Sequence, residues 1–123
     1  PEGYVSDHPI IPHGMAVVLN APAVFGFTAP VDPERHLWGA QLMGADVSDV
    51  APEDAGEVLA QTLADLMRQA GMPNGLSAVG FGLDDIPSLV AGTLPQHRVT
   101  KLCPRPFDEA DLARMFEDAM VCW

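Results

Sequence analysis

The chain has 123 residues, enough for one compact domain and too few for two. Seventeen Asp and Glu against six Lys and Arg leave a formal charge of −11. That balance repels phosphate backbones and anionic lipid, so it argues against nucleic-acid binding through a basic face and against docking on a membrane surface.

Residues 1 to 13 contain Pro1, Pro9, Pro12 and Gly3, and read as an extended lead-in. Gly14 to Val31 then carries no charged residue over 18 positions. That length nominally reaches a bilayer span, but Asn20, Pro22, Thr28 and Pro30 interrupt it, and the reading is a buried helix from Gly14 to Thr28 bent at Pro22. A helix apolar on all sides needs cover all round, more than 123 residues supply, so the isolated chain is expected to self-associate.

Asp32-Pro33-Glu34 starts a second helix, with a capping carboxylate and Pro at the first helical position; Leu37, Trp38, Ala40 and Leu42 are its apolar residues and Gly44 ends it. Pro52-Glu53-Asp54 opens a third, in which Ala55, Val58, Leu59, Leu63, Leu66, Met67 and Ala70 form one stripe, stopped by Gly71 and Pro73. Pro73-Asn74-Gly75 is a turn and Leu76 to Phe81 a connector. Gly80-Phe81-Gly82 is no dinucleotide fingerprint, because Asp85 stands where the third glycine belongs.

Asp84 and Asp85 read as caps of a helix from about Ile86 to Leu94, and Gln96 to Phe107 as a loop. Asp108, with Asp111 three residues on, caps a last helix whose stripe is Leu112, Met115, Phe116, Ala119 and Met120. Nothing alternates with a period of two for long enough to make a sheet. The expected fold is all-α: about five helices in a single helical domain spanning residues 1–123.

His97, Arg98, Lys101 and Arg105 gather three of the six Lys and Arg within eight positions, either as a surface for an acidic partner or as a solvated segment. Cys103 and Cys122 have no zinc-site spacing and read as reduced thiols, the latter in a packing role. With no charged leader after Pro1, the expected setting is cytoplasmic, and the start fits a fragment of a longer protein.

The residues that carry chemistry are His8 and His13, in Ser6-Asp7-His8-Pro9-Ile10-Ile11-Pro12-His13-Gly14. Neutral imidazole is the commonest metal ligand among side chains. An imidazole at the head of an apolar helix also serves as a cap or as a hydrogen-bonded core residue, and the residues by themselves leave both roles open.

The run His8 to Leu19, with Ala21-Pro22-Ala23-Val24-Phe25, Pro33-Glu34-Arg35-His36, Gly92-Thr93-Leu94-Pro95-Gln96 and Arg98-Val99-Thr100-Lys101-Leu102, resembles the C-terminal part of the iron-containing (group III) alcohol dehydrogenases. Within them it is most similar to the hydroxyacid–oxoacid transhydrogenase branch. The resemblance implies a divalent metal, iron or zinc, held by one Asp and three His. The His of Pro12-His13-Gly14 would be the last of these ligands, while His8 has no matching role beyond a pocket wall. It further implies a parent protein that uses NAD(P) to oxidise an alcohol or a 2-hydroxy or 4-hydroxy acid. The other ligands and the nucleotide-binding half would lie upstream, leaving this chain inactive alone. The competing reading is a helical interaction module in which both histidines are structural.

Overall fold

The computed structural model describes residues 11–123, and every regular element among them is helical. The α-helices are α1 (His13–Thr28), α2 (Pro33–Leu42), α3 (Ala55–Gln69), α4 (Ile86–Thr93), α5 (His97–Thr100) and α6 (Glu109–Asp118). Short 3-10 turns at Ala29–Val31, Pro52–Asp54, Ser77–Val79 and Leu83–Asp85 link them. The all-α expectation is met with one helix more than the sequence suggested. The addition is α5, a single turn inside the segment read as loop; four residues are too few to show a helical period.

The boundaries follow from local chemistry. Asp32 accepts a hydrogen bond from the Arg35 N–H at 3.1 Å, with Pro33 in the first helical position. Asp108 and Asp111 cap α6 reciprocally: each carboxylate takes the other's backbone N–H, at 2.8 and 3.1 Å. The Asp111 carboxyl is held below the usual range by the Asp108 N–H first, then by Arg114. Asp84 and Asp85 lie inside a 3-10 turn rather than capping α4 directly, and Asp85 takes the Gly82 N–H at 2.8 Å. The helix α1 runs through Pro22, which is buried.

α3 packs along both α1 and α2, and α6 lies against α1 and α4. At the α1–α3 crossing the backbones come close because Gly56 meets Gly26: a Cβ on Gly56 would stand 3.0 Å from the Gly26 carbonyl oxygen. Leu19, Met67, Leu76, Ala119 and Met120 form one core cluster, and Val90, Leu112 and Met115 a second. The α6 stripe is buried as expected. On the α3 stripe Ala55, Leu59 and Met67 are buried and Val58 and Leu63 half-buried; Leu66 is 40% exposed, while Ala64, off the expected stripe, is buried. Trp38 and Leu42 on α2 are also exposed, at 61% and 70%.

The C-terminal tail is clasped by the Asn74–Gly75 turn. Asn74 Oδ1 accepts the N–H groups of Cys122 and Trp123 at 2.8 and 3.0 Å, and its Nδ2 donates to the Trp123 carbonyl. We expect Asn74→Ala to cost about 1–3 kcal/mol, because it strands half-buried backbone donors. Urea unfolding checks this, and a cost near zero would mean that the tail does not contribute to stability.

α1 is the under-covered element. Of the stretch His13–Val31, long and apolar enough by composition to cross a bilayer, 22% is buried. Val17 is 58% exposed, Phe25 40% and Val24 38%.

Candidate metal centre

His13 is the first residue of α1 and is exposed. Pro12 precedes it with φ −55° and ψ 139°, so the ring springs from a backbone that proline has fixed. The Pro12 carbonyl accepts the Ala16 N–H at 3.0 Å, which closes the first turn. Among the described residues no group is hydrogen-bonded to the His13 ring. The described residues form no closed cavity around the ring. The cover that would close a cavity over α1 is not supplied by the described residues.

The direction of that opening is informative. Residues four and eleven positions after His13 return to the same side of an α-helix. These are Val17 and Val24, both exposed. The imidazole and the uncovered apolar strip therefore share one face of α1. Pro22 and Gly26, which face α3 and α6, lie about half a turn round the helix from His13. A cleft of about 470 Å³ opens there, floored by Gly26 and Gly56 and rimmed by Glu57, Asp111, Arg114 and Asp118. His13 has no part in it.

His36 shows the contrasting condition and was not singled out for a role of its own by sequence reasoning. It is buried, and its Nδ1 lies 2.7 Å from the Asp32 carbonyl oxygen, which can only accept, so Nδ1 carries the proton. In the neutral ring Nε2 then accepts from the Thr28 hydroxyl at 2.9 Å. The ring meets Phe25 edge-on at 5.9 Å. Both nitrogens are committed to the corner between α1 and α2, so His36 has no lone pair left for a metal. A histidine four residues after a capping Asp was the available signal for this role.

His8 lies outside the described residues. Among the described ones no three His, Cys, Asp or Glu side chains gather as a metal site requires. A catalytic divalent cation typically takes three protein ligands. The donor set present thus fits such an ion as a contributor of one imidazole and no more. Both cysteines are free; burial pushes the Cys122 thiol up, which keeps it protonated and inert, and its sulfur sits 3.7 Å from the Leu19 carbonyl oxygen.

The sequence profile of the Fe-containing alcohol dehydrogenase family, C-terminal, matches residues 7–120. The chain belongs to that family and carries its C-terminal helical part. It is 55% identical over 117 residues to the mitochondrial hydroxyacid-oxoacid transhydrogenase of Pongo abelii, covering 95% of this chain and 25% of that protein. It is 52% identical over 124 residues to the probable mitochondrial hydroxyacid-oxoacid transhydrogenase of Dictyostelium discoideum, covering all of this chain and 23% of that one. The fold superposes on the crystal structure of a 1,3-propanediol oxidoreductase with a TM-score of 0.79 at 27% identity, over 89% of this chain and 28% of the other. An alcohol dehydrogenase from Oenococcus oeni shares the fold at 24% identity, with a TM-score of 0.80 and the same coverage.

The chain thus spans about a quarter of the length of the curated relatives it matches. Those relatives are mitochondrial by name, which overturns the cytoplasmic expectation. Two reduced thiols do not separate the cytosol from an organelle interior, so cysteine usage was the wrong guide.

Proposed function

We propose that this chain is the C-terminal part of a metal- and nicotinamide-dependent oxidoreductase acting on an alcohol or a 2-hydroxy or 4-hydroxy acid, and that His13 supplies one ligand of its divalent cation, iron or zinc. The observation that carries the reading is the placement of His13 on a face of α1 that the described residues leave open, in a chain of this family. When bound, the cation supplies Lewis acidity at the substrate hydroxyl and NAD(P) the hydride acceptor. Pro12 holds the base of the ring, and Val17, one turn along, gives it an apolar flank that excludes water once covered. The names of the relatives support a hydroxy acid as substrate and transfer to an oxo acid as the overall reaction.

The expected result is that the intact polypeptide oxidises 4-hydroxybutyrate or a simple alcohol with NAD and loses that activity when a chelator strips the metal. The isolated chain, given iron or zinc, turns nothing over. Full activity after chelation would remove the metal from the account, and turnover by the isolated chain would show that the upstream ligands are dispensable.

The open face of α1 carries its own expected result. Val17, Val24 and Phe25 are only partly covered in the isolated chain, which should therefore self-associate in sedimentation, increasingly so at higher concentration. A well-folded monomer at every concentration would show that the exposed strip needs no partner.

A further inference from the structure

A cleft of about 490 Å³ opens between α5 and the chain that leads into α6, on a part of the molecule the metal reading leaves without a role. Its wall carries the basic side chains of His97, Lys101 and Arg105. His97 and Lys101 are four residues apart and so share one face of the α5 turn. Among the described residues no carboxylate lines it, although the protein has 17 Asp and Glu against six Lys and Arg. Two other clefts show the opposite balance: Glu57, Asp111 and Asp118 with the single Arg114 in one, Asp54, Glu57 and Asp65 in the other. Two of the six Lys and Arg and one of the four histidines thus share one concavity of a strongly acidic chain.

Arg105 shows that this cleft is more than a solvated basic segment. Its Nη1 donates to the Phe27 carbonyl at 2.7 Å, at the C-terminal end of α1, and its guanidinium lies 4.1 Å from the centre of the Phe27 ring. Those two contacts fix the group on the cleft wall and use one of its five N–H donors. Asp111 feels Arg105 but is already engaged by the Asp108 N–H and by Arg114. The Thr100 hydroxyl, also on the wall, donates to the Gln96 carbonyl at 3.2 Å and retains acceptor capacity only.

We propose that this cleft binds the phosphate group of a small molecule. The Lys101 ammonium and the pre-oriented Arg105 guanidinium, with the His97 imidazole beside them, suit a compact dianion with several acceptor oxygens. The concavity suits a small ligand rather than a flat acidic surface, and its volume falls in the usual range for such sites. Phe107 and Leu94 give the remainder of the wall an apolar character that an organic group would cover.

The test is calorimetric titration of the intact polypeptide with inorganic phosphate and, separately, with phenyl phosphate. Saturable binding of either is expected, weakened about tenfold or more by Lys101→Gln and by His97→Gln. Arg98→Gln should leave it unchanged, since Arg98 is adjacent in sequence but is not on the wall. Neither substitution at Lys101 or His97 touches a core residue, so folding is preserved and circular dichroism checks it. Tighter binding of the ester would identify a phosphorylated metabolite as the ligand, and equal binding would identify free phosphate. No binding of either up to roughly 10 mM, or equal losses in the Arg98 and Lys101 variants, would overturn the proposal. Binding of an acidic peptide without binding of phosphate would overturn it too.

Discussion

Replacing His13 by alanine in the intact polypeptide is expected to lower metal affinity and turnover by at least about 100-fold, since even outer-shell partners of a metal site are worth 10–100-fold and His13 is proposed to touch the ion itself. Stability should stay within about 0.5 kcal/mol of the parent, because the side chain is exposed and bonds to none of the described residues. That combination separates a ligand from a structural histidine. The same exchange at His36 should do the reverse, leaving the metal in place while removing the hydrogen bonds to Asp32 and Thr28 that hold the α1–α2 corner. Metal content by elemental analysis, read beside a denaturation curve, decides between the two patterns. If His13→Ala keeps its metal and its activity, the imidazole is not in the site.

The largest effect on stability is expected at Gly75. Its φ is +73°, in the left-handed region where a Cβ is strained. A Cβ there would also overlap the Met120 carbonyl oxygen and come within 2.7 Å of the Ala119 oxygen. These are the carbonyls that Leu76 and Ser77 bind with their N–H groups at 2.9 and 3.1 Å, so the turn and the tail cannot simply move apart. Backbone strain and overpacking each cost about 1–3 kcal/mol, giving roughly 2–6 kcal/mol for Gly75→Ala. Native domains are stable by about 5–15 kcal/mol, so the variant should lose much of its urea resistance. A change below about 1 kcal/mol would mean that the clasp repacks around a methyl group and is not a rigid part of the core.

How much of this was readable in the chain differs by element. The helix starts at Asp32 and Asp108 were legible because capping is local: the carboxylate, the proline or the partner acid all sit within four residues. The stripe on α6 was legible for the same kind of reason, since its period is complete within one helix. Burial on α3 was only half legible. Leu59 and Leu66 are equivalent by period, yet Leu59 is covered by Gly39 of α2 and Leu66 is not, and the reach of a neighbouring helix is not written in α3. Arg105 was read as part of a charged run because nothing in sequence shows that a guanidinium will find a helix-end carbonyl 78 positions earlier in the chain.

For the candidate metal centre the limit lies elsewhere. Pro12-His13-Gly14 was conspicuous, and resemblance supplied the family, which the profile match over residues 7–120 bears out. That His13, Val17 and Val24 share one face follows from helical periodicity, but that this face is the open one needed the packing of α3 and α6 on the other side. If His13 holds the metal as proposed, completing the cage and covering α1 are the same event, carried out by one surface arriving from one direction.

Anomalous diffraction at the metal edge, recorded from crystals of the intact polypeptide loaded with iron or zinc, tests this most directly. The account predicts a metal peak about 2 Å from a ring nitrogen of His13, on the side of α1 that bears Val17 and Val24. A metal peak bound elsewhere, with the His13 ring facing solvent or packed against carbon, would contradict it.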